Sequence, residues 1–346
     1  MLTKKEIETL RQALKSCKRP IFFFDDDPDG LASFLLLYRY IHEGQGFPVK
    51  AQPKITKNTF ARKVEEYEAD CVFILDIAMV DQDFVDQVKV PVYWIDHHEI
   101  QDISGVEYFN ALKSGENIPT SALCWQVVQD ENISDLWIAV TGCVGDWYVP
   151  SFAEILEQAY PRLMPDTADT PQRALYESEI GELVKVFSFV MKGTTKTIRD
   201  LVKIMTRIKD PYDILGQKTS QGKFVYKHYK KIKESYDELL KEALKTKPQG
   251  KMVVFVYTDA KISLTKDVAN EMLYRFKDKI IVLAREKSGY MKCSLRAPLK
   301  INLLNKMKKA MQGIDGYFGG HKQACGANIN QEDFKKFLKQ LKEELC

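Results

Sequence analysis

The sequence predicts an α/β protein: a mostly parallel sheet in an N-terminal domain, then a helical connector, then a smaller α/β domain. Three observations predict it. Between residues 20 and 130, apolar stretches of strand length alternate with helix-length ones, the rhythm of a parallel sheet with helical crossovers. From about residue 151 to 247 strand signals fade and helical ones dominate. Behind the Pro248-Gln249-Gly250 break a fresh α/β pattern opens at Met252. A length of 346 residues favours two cores, and the expected boundaries are 1–188, a basic connector over 189–248, and 249–346.

Each element has its own signal. Phe22-Phe23-Phe24 is a buried strand running into Asp25, and Pro28-Asp29-Gly30 is a strand-to-helix turn opening an apolar helix over 31–41. A helix near 58–68, a strand over 72–75 ending at Asp76, a helix near 81–88, a strand over 92–95 ending at Asp96-His97-His98, and a helix over 120–129 follow. The small-residue stretch 139–145 reads as a further strand end, running into Asp146. Residues 226–244 form a long Lys-rich amphipathic helix. The second domain reads as a strand over 252–257, a helix over 267–276, and strands over 279–284 and 290–295 paired across Lys287-Ser288-Gly289. A strand over 324–329 and a closing helix over 333–344 complete it.

Composition narrows the class. With 45% hydrophobic residues there is material for two cores. No stretch approaches the roughly 18 uninterrupted apolar residues of a membrane span, and residues 1–20 are charged and amphipathic, so a soluble cytoplasmic protein without a membrane partner is expected. The seven cysteines are scattered without CxxC spacing, several inside apolar runs (Cys71, Cys124, Cys143), which predicts reduced core thiols. Net charge is +3, but Lys192 to Lys251 holds sixteen Lys/Arg against seven Asp/Glu, a surplus of +9 that leaves the remainder at −6. A cationic segment beside an acidic site suits a polyanionic substrate.

The acids carry the chemistry. Alternate residues of an extended segment share a face, so Asp25, Asp27 and Asp29 project to one side while Asp26 faces away. Like charges so close need a cation to offset them. Asp76, Asp96-His97-His98 and Asp146 end other apolar segments, and ligands of open α/β sheets bind outside the carboxyl ends of strands. Oxygen and imidazole without thiolate suit Mn²⁺ or Mg²⁺.

With Asp27-x-Asp29-Gly30, Asp76, the literal Asp96-His97-His98 and Asp146 in this order, the chain resembles the DHH phosphoesterase superfamily, and Gly319-Gly320-His321 resembles the signature of the domain that accompanies it. The resemblance implies hydrolysis of phosphoesters with two divalent cations, Mn²⁺ preferred over Mg²⁺, in a cleft between the domains. Asp25, Asp27 and Asp76 would hold one ion; Asp29, Asp76, His97 and Asp146 the other, with Asp76 shared. His98 would contact the scissile phosphate, and Asp96 would orient the imidazoles. Asp25 stands where many relatives carry His, which makes the first site harder and more anionic. Ser294, Arg296, Gly319, Gly320 and His321 would grip a nucleotide phosphate.

Among the branches of the superfamily, the Gly-Gly-His signature points away from inorganic pyrophosphatases. The expected activity is that of a RecJ-like exonuclease on single-stranded DNA or RNA, with a possible replication or repair protein partner. The alternatives are a hydrolase of short oligonucleotides or cyclic dinucleotides, and a replication or repair scaffold of the inactive RecJ-relative type. Phe224, Tyr226, Tyr229 and Tyr236, interleaved with lysines, read either as a base-stacking surface or as the packed face of their helix.

Overall fold

The computed structural model describes residues 1–50, 54–258 and 263–345. It divides into two units, Met1–Lys230 and Lys231–Cys346.

The first unit is built on five parallel strands, β1 (Pro20–Asp25), β2 (Gln45–Val49), β3 (Cys71–Leu75), β4 (Val92–Asp96) and β5 (Glu107–Asn110), in the order β2-β1-β3-β4-β5. A sheet covered on both faces reads as a continuous apolar run, and β1 shows why. Phe22 and Phe24 pack on Phe34, with ring centroids 5.6 and 4.7 Å away. Phe23 faces the other way, onto Phe60 and Phe84 at 5.1 and 6.3 Å. Helix α1 (Lys4–Ser16) begins with a capping box between Thr3 and Glu6. Helix α2 (Pro28–Ile41) is capped by Asp27, carries Pro28 in its first turn, and is buried continuously from Pro28 to Leu37.

Helix α3 (Thr120–Val128) follows the sheet, and α4 (Leu136–Gly145) occupies the stretch expected to be a strand. The small residues of that stretch serve helix packing instead. A Cβ on Gly142 would lie 2.6 Å from the Ala32 Cβ, and one on Gly145 would lie 2.6 Å from the Pro28 Cβ, so glycine lets α4 settle against α2. A buried fork of Arg39 on Asp135, at 2.8 and 2.7 Å, joins the end of α2 to the approach to α4. Helices α5 (Glu179–Val190) and α6 (Thr195–Met205) lie in the helical region, and α7 (Ser220–Ala243) runs from one unit into the other. On α7, Tyr229 and Tyr236 are buried, as the packed-face reading expects, whereas Phe224 is 52% exposed.

Cys17 and Cys71 form a disulfide, which corrects the expectation of reduced thiols; Cys124, Cys143, Cys293 and Cys325 are free and buried. The pairing follows from the neighbouring backbone. The Asp70 carboxylate accepts from Lys18 N and Arg19 N at 2.7 and 2.9 Å, which draws the end of α1 to the start of β3 and leaves the two cysteine Cα atoms 6.3 Å apart.

The second unit holds strands β6 (Met252–Thr258), β7 (Ile280–Lys287), β8 (Tyr290–Arg296), β9 (Gly316–Gly320) and β10 (Ala324–Asn330), in the order β9-β10-β8-β7-β6. Only β6 and β7 run parallel. Helices α8 (Thr265–Arg275), α9 (Leu303–Ala310) and α10 (Phe334–Glu343) complete it, and Phe337 and Leu341 of α10 are buried in a core with Leu295, Met307 and Ile329.

Candidate metal centre

The first unit gathers its acids and imidazoles at the carboxyl ends of β1, β3 and β4 and at the end of α4. Asp27 caps α2 by accepting from Asp29 N and Gly30 N, both at 3.1 Å. Gly30 is obligatory there, because a Cβ would lie 2.5 Å from the Asp25 carbonyl oxygen. Asp29, in the first turn of α2, is buried and accepts from Thr120 N at 2.8 Å and Ser121 N at 2.9 Å, and also from the Ser121 hydroxyl. The amino end of α3 thus fixes this carboxylate.

Asp76 follows β3 with φ at +58°, a left-handed conformation that costs an aspartate less than most residues but is still uncommon. It accepts from Thr120 Oγ1 at 3.2 Å. His97 Nε2 lies 3.3 Å from Asp76 Oδ1 and 3.5 Å from Asp146 Oδ2. His98 Nδ1 is 2.7 Å from Asp96 Oδ1, and His98 N donates to Asp96 Oδ2 at 2.9 Å. That pairing commits Nδ1 to Asp96 and fixes the orientation of the ring. Asn110, opposite Asp96 in register, donates to the His98 carbonyl and the Tyr108 hydroxyl, each at 2.9 Å.

Among the described residues, three sets at these strand and helix ends have ligand atoms mutually within 4.8 Å: Asp25, Asp27 and Asp76; Asp29, His97 and Asp146; Asp76, His97 and His98. Through Asp76 and His97 they form one cluster that unites all six residues expected to hold metal, with His98 beside them. Burial pushes the Asp76 carboxyl well above its ordinary pKa, and the charges of Asp29 and Asp27 push it further. Burial likewise raises Asp29, partly offset by His97 and Ser121. Burial alone would lower His97, but the Asp76 hydrogen bond and the charges of Asp76, Asp146 and Asp29 raise it to about 11. The fold therefore concentrates negative charge, which the raised His97 imidazole offsets in part. Five carboxylates and two imidazoles without a thiolate fit divalent cations of the Mn²⁺ or Mg²⁺ kind.

Sequence reasoning missed Thr120, Ser121, Tyr108 and Asn110. Thr120 and Ser121 carried the one available signal, hydroxyl residues opening an apolar helix.

The second unit brings its expected residues together on one sheet. Ser294, Gly326 and Gly319 stand in one cross-strand row of β8, β10 and β9, and Arg296 pairs with Ala324, whose carbonyl accepts from His321 N at 2.8 Å. Arg296 Nε donates to Asn270 Oδ1. Gly319 and Gly320 are strand residues, because both pair with β10. A Cβ on Gly319 would meet nothing within 4 Å, whereas Gly320, at φ +141°, faces the Ala324 carbonyl.

A parallel unit with carboxylates and imidazoles at its strand ends, followed by a mixed-sheet unit, defines a two-unit α/β fold with a candidate metal centre in its first unit. Residues 249–345 match the DHHA1 domain family. RecJ from Thermus thermophilus, in complex with Mn²⁺, is similar at 14% identity with a TM-score of 0.69, over 98% of this chain and 54% of that one. The chain thus spans about half the length of that RecJ. The DHH domain of the s1p-family ribosomal protein PF0399 is similar at 15% identity with a TM-score of 0.68, covering 99% and 89% of the two chains. The pGpG-specific phosphodiesterase PggH from Vibrio cholerae follows at 12% and 0.51, covering 94% and 99%. No curated protein matches the chain. The chain thus shares its fold with RecJ and with the DHH domain of PF0399, and its residues 249–345 match the DHHA1 domain family.

Proposed function

We propose that the chain is a divalent-metal-dependent phosphodiesterase, a RecJ-like exonuclease on single-stranded nucleic acid. The observation that carries this reading is the continuous cluster of Asp25, Asp27, Asp29, Asp76, His97 and Asp146, joined through Asp76 and His97. Two cations, Mn²⁺ in preference to Mg²⁺, would supply Lewis-acid polarisation of the phosphoryl oxygens. The rest falls to the chain. Asp29, anchored on α3, and Asp27, anchored on its own helix amides, hold fixed positions. His98, oriented by Asp96, directs Nε2 to a non-bridging oxygen of the scissile phosphate. Ser294, Arg296, Gly319, Gly320 and His321 bind a second phosphate of the same strand, the side-chain-free row at Gly319 and Gly326 leaving backbone open to it. Arg296→Ala then raises KM with little change in kcat; an unchanged KM removes Arg296 from substrate binding.

The test uses strands labelled at either end, as DNA and RNA, as dinucleotides and at about 30 nucleotides, incubated with Mn²⁺. Mononucleotides from the long strand support the exonuclease. The likeness to a pGpG-specific enzyme favours a second reading, which cleavage of dinucleotides alone would establish. Metal binding without cleavage of any strand would replace both with a binding scaffold.

A further inference from the structure

Helix α6 bears an unusual surface. Lys196, Arg199 and Lys203, with Arg207 just beyond, recur at spacings of three and four, and all four are exposed. That spacing puts them on one helix face. Ile198, Leu201, Val202 and Met205 are buried on the opposite one. Several other surface cations of the chain pair with a carboxylate four residues away: Arg62 with Glu66 at 2.7 Å, Arg173 with Asp169 at 2.9 Å, Lys233 with Asp237 at 2.6 Å. Among the described residues, none of the four α6 cations has a carboxylate within ion-pair distance, although Asp200 is exposed on the same helix. Four exposed like charges left without counter-charges repel one another, an arrangement that a bound polyanion would relieve.

The stripe starts beside the carboxylate cluster. Val49 pairs in register with Asp25, so Lys50 follows on alongside Asp26, and its ammonium interacts with the charges of both Asp26 and Lys192. Lys50 Nζ donates to the Gly193 carbonyl at 3.4 Å. Gly193 immediately precedes Thr194, the cap of α6. Cations thus continue from the mouth of the metal centre onto the helix, all within the first unit.

We propose that Lys50, Lys192 and the α6 stripe of Lys196, Arg199, Lys203 and Arg207 form a track for the sugar–phosphate backbone of a single-stranded nucleic acid, leading away from the carboxylate centre. The track deepens the exonuclease reading and rests on it for the choice of ligand. Flexible side chains at helical spacing follow phosphates without reading bases, so binding is independent of sequence and steeply salt-dependent.

The experiment measures anisotropy of a labelled 30-nucleotide single strand titrated with the full chain in EDTA, where no hydrolysis occurs, across a range of salt. Each lost phosphate contact flattens the plot of log K against log salt by about 0.7. The triple variant Lys196→Ala/Arg199→Ala/Lys203→Ala is therefore expected to flatten the slope by about 2. A control variant, Lys4→Ala/Lys5→Ala/Lys18→Ala, removes as many exposed cations and is expected to keep the wild-type slope. Melting curves with and without Mn²⁺ verify that both variants are folded. A wild-type slope in the α6 variant, an equal loss in the control, tighter binding of duplex, or binding of anionic phosphatidylserine vesicles in place of the strand would each overturn the track. Because binding is read without metal, a flattened slope in a protein that cleaves nothing keeps the track and discards the exonuclease. Cleavage with an unaltered slope does the reverse.

Discussion

At the scale of single residues, Asp76 bears the most conflict: it is buried, adopts a left-handed backbone, and lies among like charges. Asparagine tolerates that backbone and carries no charge. Asp76→Asn is therefore expected to raise the melting temperature of the metal-free protein by a few degrees, at about 2–4 °C per kcal/mol for a unit of this size. It should also abolish Mn²⁺-induced stabilisation and cut turnover at least ~100-fold, the expected cost of a lost metal ligand. A variant that keeps both would sink the shared-ligand assignment. His97 sets a pH dependence. Its folded pKa, about 11 without metal, lies above the ordinary value near 6.5. Its contribution is thus complete below that ordinary value and is lost as pH rises towards about 11. Metal-free protein should lose stability across that window in pH-dependent denaturation, and His97→Gln should flatten the dependence. These residues were legible in the sequence because charge at the end of an apolar run has no folding rationale. Thr120, Ser121, Tyr108 and Asn110 were not, since nothing in a sequence shows which backbone amide will meet a carboxylate some ninety residues away.

Among the elements, α4 shows how local reading fails. Gly142 and Gly145 look like strand or turn residues, and only the presence of α2 makes them helix-packing residues. The strands of both sheets were more legible, because runs such as Phe22-Phe23-Phe24 need cover on two faces; β2 and β5, less apolar, and the glycine-rich β9 went unread. The join of α2 to Asp135 supports a prediction at this scale. Arg39 and Asp135 are 10% and 3% exposed, and removing one partner of such a pair leaves a buried charge, costing about 3–5 kcal/mol. Asp135→Ala should show that loss in urea denaturation, while Arg39→Met/Asp135→Leu should recover most of it. Equal losses in the single and double variants would mean that the fork contributes packing alone.

For the whole molecule, the division into two units has a thermal signature. Ligand at about 100 times its Kd stabilises by about 2.7 kcal/mol, and the carboxylate cluster lies entirely within the first unit. Mn²⁺ should therefore raise a transition belonging to that unit by roughly 5–10 °C and leave unmoved one belonging to the DHHA1 unit, as calorimetry of the full chain with Mn²⁺ and with EDTA would record. Movement of both by the same amount would show that they melt as one. Charge imbalance was legible from counting, but its placement was not: counting gives a basic segment, and only the helix phase of α6 shows which cations share a face.

The bond between Cys17 and Cys71 also changes the chain as an object. It closes residues 17–71 into a covalent ring that contains β1, the turn through Asp26 and Asp27, and α2. A protease cutting once inside that ring opens a loop without freeing a fragment, so the nicked chain keeps its full mass until a reductant divides it in two. Three of the expected metal ligands, Asp25, Asp27 and Asp29, would remain covalently tied to Asp76 and His97 after a cut that, in a linear chain, would set them adrift.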